Sequence, residues 1–412
     1  MVIHEPAVIP YMKCYFIVKL VKIHMIIQFR RGNMRAVTFQ GMKNVEVKEV
    51  PDAKIEKSDD IIVRITSTAI CGSDLHIYRG SVPTTKGFVI GHEPMGIVEE
   101  VGSAVTKVKK GDRVVIPFNI SCGECFYCQN EMESQCDNSN DNTELDAGAY
   151  FGYTERYGNY PGGQAEYLRV PYANFVPFKI PESCELEDEA LLFMSDVLPT
   201  AYWSVENAGV KKGDTVAVLG SGPVGLMVQK FAWMKGASRV IVVDALNYRL
   251  KHAEKTNKVE TLNLDEFEDV GMQIREMTKG GVDVVIDCVG MDGKMNIFEK
   301  IEQKLKLQGG TLSAIEIGTK AIRKFGTIQL TGVYGAKYNL FPLGNMFERN
   351  ITLKMGQAPV IHYMPMLYDM IVKGKFDPTD IITHKMNLSE ASQAYKLFHD
   401  NEDDSIKFVL KP

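Results

Sequence analysis

The sequence predicts an α/β protein in which a β-barrel domain is followed by a doubly wound parallel sheet. Short β-branched runs punctuated by glycine extend from Met34 to about Val114, which is typical of a partly open barrel. Around Glu185 the pattern changes to buried-type strands separated by helical segments, as in a parallel sheet covered on both faces. Beyond Ile351 the chain resumes turn-rich, mixed structure, which we expect to pack on the first domain.

The composition is that of an ordinary globular chain, long enough for two or three hydrophobic cores. Of its 412 residues, 45% are hydrophobic and 24% are charged, and the net charge of -5 has both signs spread along the sequence. The sequence has no basic stripe that would indicate nucleic-acid binding. It also has no apolar run that approaches the ~20 residues of a membrane span. Because no secretion signal is recognisable, we expect a cytoplasmic protein that binds a small molecule.

Residues 1–33 differ from the rest of the chain. They are apolar and basic, with several lysines and arginines against the single acid Glu5. We interpret them as an N-terminal extension outside the fold, which starts at Met34; a weak targeting segment is the alternative.

Within the first domain, strands are expected at 44–50, 60–65 and 96–101, where β-branched residues alternate with polar ones. Cys71 follows the second of these strands, and Gly91-His-Glu93 precedes the third. A thiolate and an imidazole are both good zinc ligands. Either Cys71 or His92 alone would more often be an ordinary buried residue, but together, with Glu93 adjacent, they indicate a metal site.

Half of the eight cysteines lie in one short loop, as Cys122, Cys125, Cys128 and Cys136. Four thiolates at this spacing favour a closed tetrahedral zinc site, which would hold together a lobe that has no core of its own. A pair of disulfides is the alternative, but the two-residue spacings suit chelation better. We therefore predict a structural zinc.

The second domain carries a glycine-rich turn, Gly220-Ser-Gly-Pro-Val-Gly225. It follows the buried run 216–219 and opens a helix, and Asp244 ends the next strand about 20 residues later, as a dinucleotide-binding fingerprint requires. Glycines permit a tight turn and close approach of a pyrophosphate to the helix N-terminus. Asp244 would accept hydrogen bonds from the ribose hydroxyls and repel a 2′-phosphate, so NAD is favoured over NADP. The residues expected at this site are Gly220, Gly222, Pro223, Val224, Gly225, Asp244 and, with a solvated surface position as the alternative, Arg249.

Four features follow one another along the chain: Cys71-x-Ser-x-x-His76, Gly91-His-Glu93, the cysteine loop and the glycine-rich turn. In this order they resemble the zinc-dependent medium-chain dehydrogenase/reductase family, the alcohol dehydrogenases in the broad sense. The resemblance covers nearly everything from residue 34 to residue 412. It implies a GroES-like catalytic domain at 34–195 and 352–412, with a zinc lobe at 118–140. It also implies an NAD-binding Rossmann domain at 196–351 and a homodimer or homotetramer.

Most of the family has a cysteine as third ligand of the catalytic zinc, but this chain has Asp196 at the matching position, in Asp-x-Leu-Pro-Thr200. That pattern resembles the branch that contains glutathione-independent formaldehyde dehydrogenase and formaldehyde dismutase. Carboxylate is a usual zinc ligand, and it keeps the ligand charge at minus two with Cys71. The alternative is that Asp196 caps a helix and that Cys184 is the ligand.

By the same resemblance, Ser73 and His76 pass the substrate proton outwards, Asp74 orients the ligand imidazole, and Glu93 acts beside the metal. Thr200 would lie beside the nicotinamide, and Phe118 would line the substrate pocket. Relatives in the formaldehyde branch have an insertion that covers NAD; the long stretch 291–325 of this chain does not obviously match it.

We therefore expect an enzyme with two zinc ions per chain, one catalytic and one structural, that transfers a hydride between NAD(H) and a small alcohol or aldehyde, with formaldehyde as one candidate. A polyol or threonine dehydrogenase on the same scaffold is the nearest alternative. A non-catalytic NAD-binding protein is a further alternative, although such chains commonly lose zinc ligands and this one keeps both sets.

Overall fold

The computed structural model describes residues 32–142, 144–292, 311–335 and 338–412. The predicted N-terminal extension lies almost wholly outside the described residues, as does the centre of the 291–325 stretch. The first strand begins at Asn33, which pairs with Pro51, so the fold starts one residue before the predicted Met34.

Within the described residues, the first domain consists of strands and three short helices. Its strands are β1 (Asn33–Gly41), β2 (Asn44–Pro51), β3 (Ile61–Ile70), β4 (Glu93–Val101), β5 (Arg113–Val115), β6 (Asn119–Ile120), β7 (Ala149–Tyr150), β8 (Tyr167–Val170) and β9 (Phe178–Lys179). Its helices are α1 (Asp74–Tyr78), α2 (Phe126–Gln129) and α3 (Asp188–Leu191). The three strands expected from alternation correspond to β2, β3 and β4.

Strands β3 and β4 form the centre of the barrel sheet. Their antiparallel backbones approach so closely that a Cβ at Gly96 would lie 2.1 Å from the Arg64 carbonyl oxygen. Isolated bridges from Ala36 to Ala165 and from Thr38 to Val89 join β1 to this sheet. Apolar residues on the inner faces of β3, β4, β5 and β8 form the barrel core.

The second domain is a parallel sheet with helices on both faces. Its strands are β10 (Thr215–Leu219), β11 (Arg239–Asp244), β12 (Glu260–Asn263), β13 (Val282–Asp287), β14 (Ile322–Leu330) and β15 (Thr352–Met355). Its helices are α4 (Val197–Ala208), α5 (Pro223–Met234), α6 (Asn247–Asn257), α7 (Val270–Met277), α8 (Ser313–Ala321) and α9 (Leu343–Glu348). The C-terminal part of the 291–325 stretch is thus an ordinary crossover helix and the start of a strand.

The strand order across this sheet, in the described part of the chain, is β12-β11-β10-β13-β14-β15. Alternate residues of β10 pack on opposite faces, Val216 and Val218 in one core and Ala217 and Leu219 in the other. The order reverses between β10 and β13, and ligands bind at the carboxyl end of a sheet at such a switch point. The predicted doubly wound Rossmann sheet is confirmed.

The chain then returns to the first domain through α10 (Val360–Val372), β16 (Ile382–Asn387), α11 (Ala391–Asp400) and β17 (Lys407–Lys411). Strand β17 pairs with β3 on one side and β16 on the other, which completes the barrel sheet. The parallel sheet extends past the predicted domain boundary at 351/352, because β15 hydrogen-bonds to β14 and therefore belongs to that sheet. Among the described residues, no helix combines the length and apolar character needed to cross a bilayer.

Candidate active site

A cavity of about 520 Å³ lies between the two domains, at the carboxyl end of the parallel sheet. One wall carries the α1 segment, His92 and Asp196, and the opposite wall carries the glycine-rich turn. This volume is within the range of about 300–1,000 Å³ of small-molecule and cofactor sites. The predicted ligands of the catalytic zinc and the predicted cofactor-binding residues therefore share one cavity, although they come from segments far apart in the sequence.

Three of the side chains on the first wall converge on one point. The Asp196 Oδ2 atom lies 3.4 Å from the Cys71 Sγ atom and 3.2 Å from the His92 Nε2 atom. With Glu93, they form a buried group whose ligand atoms all lie within 4.8 Å of one another. Separations of this size fit the donors of one tetrahedral zinc with bonds of about 2.0–2.3 Å. A thiolate, an imidazole and a carboxylate suit zinc chemically as well.

Asp196 occupies the N-cap position of α4, but its side chain does not cap the helix. The Oδ1 atom accepts a hydrogen bond from the Thr200 hydroxyl at 2.8 Å, which turns Oδ2 towards Cys71 and His92. Cys184, the alternative ligand, lies half-buried beside Tyr368 and joins neither group of metal-binding side chains. The geometry therefore favours Asp196 as the third ligand.

The His92 ring is oriented by Asp74, whose Oδ1 atom lies 2.9 Å from His92 Nδ1. The other Asp74 oxygen accepts hydrogen bonds from the Cys71 amide at 2.9 Å and the Gln164 side chain at 3.2 Å. Because His92 Nδ1 contacts Asp74 Oδ1, the other ring nitrogen, Nε2, faces the cavity. Carboxylate partners of this kind fix the tautomer of a zinc-bound histidine and raise its basicity.

The electrostatics of the group favour a cation at its centre. Burial lowers the pKa of His92, but the nearby Asp74 and Asp196 outweigh it and hold the pKa well above its usual value. Burial likewise opposes ionisation of Asp196, yet the hydrogen bond and charge of His92 lower its pKa. The surrounding anions thus stabilise positive charge, which a divalent metal supplies once it displaces the proton.

Glu93 lies beside the metal-binding group, as expected, but it is not placed to touch a substrate. Its side chain is fully buried and does not line the cavity. The Oε1 atom accepts a hydrogen bond from Lys407 Nζ at 2.6 Å, and both side chains are completely inaccessible. The reason is the pairing of β17 with β3, which brings Lys407 beside β4. Glu93 therefore supports the metal group from behind, away from a substrate.

Ser73 and His76 both line the cavity, as expected of a proton path. The Ser73 hydroxyl lies 3.2 Å from His92 Nε2, so it is adjacent to the proposed metal position. His76 lies in α1 and is only 4% exposed. The structure therefore places a hydroxyl at the ligand group and an imidazole on the same wall, one helical turn away.

The four cysteines of the zinc lobe also meet at one point. The Sγ atoms of Cys125 and Cys128 are 3.5 Å apart, those of Cys122 and Cys128 are 3.9 Å apart, and those of Cys125 and Cys136 are 4.0 Å apart. A tetrahedral zinc with bonds of about 2.3 Å holds its sulfurs about 3.8 Å apart. All four cysteines are free thiols rather than disulfides. The lobe thus fits a structural zinc.

On the opposite wall, each glycine of the turn has its own steric requirement. Gly220 has a φ of +93°, and a Cβ at Gly225 would lie 2.0 Å from the Gly220 carbonyl oxygen. A Cβ at Gly222 would meet only the Arg249 Nη1 atom, at 3.7 Å, so the space above Gly222 is open to the cavity. Pro223 begins α5, whose N-terminus faces that space. This cradle fits a dinucleotide pyrophosphate.

Asp244 lies at the end of β11 and lines the same cavity. Its carboxylate accepts hydrogen bonds from the Ser221 amide at 2.7 Å and the Leu246 amide at 2.9 Å. Each oxygen keeps a further lone pair for a ribose hydroxyl. Arg249 lines the cavity too, where it reaches Tyr248 and Asn401, so it is not a merely solvated residue. Thr200 and Val224 also border the cavity.

Three contributors to the site were not predicted from the sequence. Lys407 balances Glu93, and its only sequence signal is a charged residue at a strand position where the pattern is apolar. Tyr150 and Tyr153 form an aromatic wall with the expected Phe118. No spacing rule selects two tyrosines from the seventeen in the chain.

Comparison with known proteins agrees with this geometry. A family model described as the alcohol dehydrogenase GroES-like domain matches residues 57–182, and one described as zinc-binding dehydrogenase matches residues 223–300. An uncharacterised zinc-type alcohol dehydrogenase-like protein of Bacillus subtilis is 63% identical over 92% of this chain and all of its own length.

A glutathione-independent formaldehyde dehydrogenase of Pseudomonas aeruginosa is 34% identical over 92% of this chain and 98% of its own. Among solved structures, an alcohol dehydrogenase from Thermus sp. ATN1 superposes with a TM-score of 0.78 and 32% identity, covering 92% of this chain and 99% of that one. The resemblance stated from the motifs is confirmed: the chain belongs to the zinc-dependent alcohol dehydrogenase family of oxidoreductases.

Proposed function

We propose that this protein oxidises a small primary alcohol or a hydrated aldehyde by hydride transfer to NAD, and that formaldehyde is one of its substrates. The observation that carries the proposal is the shared cavity, in which the group formed by Cys71, His92 and Asp196 faces the dinucleotide-binding turn. The likeness to a formaldehyde dehydrogenase supports formaldehyde in particular.

The protein's own residues bind and orient the reactants and move the proton. A zinc held by Cys71, His92 and Asp196 would lower the pKa of a coordinated hydroxyl, and NAD would accept the hydride. The Ser73 Oγ atom is placed to take the substrate proton, and His76 on the same wall is the next group that can carry it outwards. Thr200 keeps the Asp196 carboxylate turned to the metal position.

The choice of NAD over NADP depends on Asp244. A carboxylate at the end of β11 hydrogen-bonds ribose hydroxyls but repels the 2′-phosphate of NADP. Ala245 follows, so no cation next to it compensates that repulsion. Arg249, which reaches the space above Gly222, is placed to bind the pyrophosphate instead.

The test is a substrate panel with purified, zinc-loaded protein. We expect NADH formation with ethanol or formaldehyde, at least tenfold lower activity with sorbitol and threonine, and little activity with NADP. Two zinc ions per chain by metal analysis should accompany this activity. Turnover of sorbitol above that of the short substrates would favour the polyol dehydrogenase alternative. A single zinc with no turnover would favour a non-catalytic protein.

We further propose that the chain forms homodimers or larger assemblies and that it works in the cytoplasm. Five large exposed apolar side chains lie in the stretch from β14 to the end of β15, at Phe325, Leu340, Leu343, Phe347 and Met355. Strand β15 is an edge strand of the described parallel sheet, and an apolar patch beside an open edge suits pairing with a second copy. The reducing cytoplasm would keep the seven described cysteines as thiols.

A further inference from the structure

One buried polar group in the cavity has no role in the chemistry described above. Tyr153 is 7% exposed, and its ring meets the His92 ring edge-on, with the ring centroids 6.0 Å apart. No partner for its hydroxyl is found among the described residues. Because buried tyrosine hydroxyls almost always have a hydrogen-bond partner, this one is expected to be satisfied by a bound molecule.

The backbone holds Tyr153 in place from both sides. Gly152 has a φ of +59°, and a Cβ there would lie 2.4 Å from the carbonyl oxygen of Gly91, the residue before His92. Thr154 is fully buried and has a φ of +74°, which is a strained conformation for a β-branched residue. Such strain concentrates at functional sites, where it fixes a side chain in advance of binding.

The segment is also anchored further along, at Glu155. Its carboxylate accepts hydrogen bonds from the Thr85 amide at 3.0 Å and the Thr84 hydroxyl at 3.1 Å. Partial burial opposes ionisation of Glu155, but a hydrogen bond from the Thr85 hydroxyl, together with those from the Thr85 amide and the Thr84 hydroxyl, outweighs it and lowers its pKa. The anchor therefore stays charged at neutral pH, and the Tyr153 ring has little freedom to turn away from the cavity.

The surroundings of His92 are asymmetric. Phe118 packs on His92 at 6.1 Å between ring centroids and offers only apolar surface. Tyr153 packs at the same ring and offers a hydroxyl, which as a phenol is protonated at neutral pH. Besides the Ser73 hydroxyl, a ligand next to the metal group therefore meets the Tyr153 hydroxyl and the apolar surface of Phe118.

We propose that Tyr153 binds the second oxygen of a substrate whose first oxygen lies at the group formed by Cys71, His92 and Asp196. This inference rests on the proposed function and names the favoured substrate class as hydrated aldehydes, which carry two hydroxyls on the reacting carbon. Because the Tyr153 ring packs on the ligand His92 and borders the cavity, it lies beside the metal group, which suits a geminal pair of hydroxyls better than a distant hydroxyl.

The reaction is RCH(OH)₂ + NAD⁺ → RCOOH + NADH + H⁺. The carbon–hydrogen bond breaks, its electron pair leaves with the hydride to the nicotinamide, and one hydroxyl proton leaves through Ser73. Tyr153 exchanges no atoms. The Tyr153 hydroxyl donates a hydrogen bond to the second substrate oxygen, and this hydrogen bond becomes stronger as the carboxylic acid forms. A simple alcohol has no second oxygen and makes no such contact.

The test compares Tyr153→Phe with wild type on ethanol, ethanediol and acetaldehyde, with excess NAD and zinc, following NADH and acetate. Tyr157→Phe is the matched control, since Tyr157 packs on Tyr153 but does not line the cavity. We expect kcat/KM for acetaldehyde oxidation to fall about tenfold more than that for ethanol in Tyr153→Phe, the loss typical of one buried hydrogen bond. The control should show no such difference.

A binding measurement separates this inference from the proposed function. Acetate carries both oxygens, so its dissociation constant for the zinc-loaded protein should rise about tenfold in Tyr153→Phe and stay unchanged in Tyr157→Phe. Equal losses on ethanol and acetaldehyde, a larger loss on ethanediol, or unchanged acetate binding would each overturn the role of Tyr153. If wild type oxidises none of these substrates, the proposed function fails, and acetate binding still decides whether Tyr153 is a ligand-binding residue.

Discussion

Asp196 shows how a single residue sets the chemistry of the site. A carboxylate has two oxygens, and here one receives the Thr200 hydroxyl while the other faces Cys71 and His92. A thiolate at this position could coordinate a metal but could not also hold Thr200 in the same way. Asp196 and Thr200 therefore act as a pair, which explains why both occur in one short motif.

Replacing Asp196 with alanine should remove the catalytic zinc and leave the structural one. The remaining thiolate and imidazole give only two ligands, and a loss of several kcal/mol of transition-state stabilisation would reduce kcat/KM about a thousandfold or more. Metal analysis should fall from two zinc ions per chain to one. Asp196→Cys is the matched control, because a thiolate preserves the ligand charge and should keep two zinc ions. Full zinc occupancy in Asp196→Ala would show that another residue is the third ligand.

Site residues that lie within short motifs could be predicted from the sequence. Those that only the tertiary structure brings to the site could not. Cys71, Ser73 and Asp74 lie in one turn, so their spacing is informative. Lys407 reaches Glu93 across more than three hundred residues, through the pairing of β17 with β3. Its burial could not be inferred from its local sequence, in which a lysine normally indicates a solvated position.

At the level of secondary-structure elements, the zinc lobe hydrogen-bonds to a segment that lines the cavity. The Ser134 hydroxyl donates to the Gln357 carbonyl oxygen at 2.9 Å, and Gln357 lines the cavity. Glu133, which is buried beside it, accepts a hydrogen bond from the His362 amide at the start of α10. The lobe therefore braces the segment that leads into α10, although it has little apolar core of its own.

Substituting Cys128 with serine should release the structural zinc and loosen the lobe. A closed site of four thiolates supplies much of the folding energy of such a loop, so three thiolates should bind zinc far more weakly. Hydrogen exchange should show protection lost over residues 118–140 and at Gln357, while zinc remains at the catalytic site. Cys184→Ser is the control, because Cys184 belongs to neither metal group. Unchanged exchange in the lobe would mean that packing on α10, not zinc, holds it.

The strands and helices that were predicted best are those whose pattern is local. Buried runs such as 216–219 and 240–243 fall inside β10 and β11, because a strand covered on both faces must be apolar throughout. The return segment was predicted only as mixed structure. Strand β17 is held by β3, which is distant in sequence, and β16 pairs in turn with β17. Strand β15 joins the parallel sheet by pairing with β14, so that sheet extends past the predicted boundary at 351/352.

For the whole molecule, the fold class followed from the change in periodicity, but the relation between the domains did not. The largest core joins residues of the barrel, the parallel sheet and α10, so the cavity between the domains has packed walls. Its lining depends on which side chains meet across that core. The glycine-rich turn and the metal motif could be located separately, whereas their meeting in one cavity required the three-dimensional structure.

The exposed apolar side chains from β14 to β15 indicate where a second copy would bind. Phe347 is 78% exposed and Phe325 is 71% exposed; Phe347 lies in α9, which precedes the edge strand β15, and Phe325 lies in the neighbouring strand β14. If this patch is an interface, Phe347→Glu should halve the mass of the assembly by light scattering, since a charge cannot be buried there without a partner. The wild type should have a mass of twice 46.1 kDa or a higher multiple. Met272→Glu, at an exposed residue of α7 outside the patch, should leave the mass unchanged. A monomeric wild type, or a Phe347→Glu variant of unchanged mass, would place the interface elsewhere or remove it.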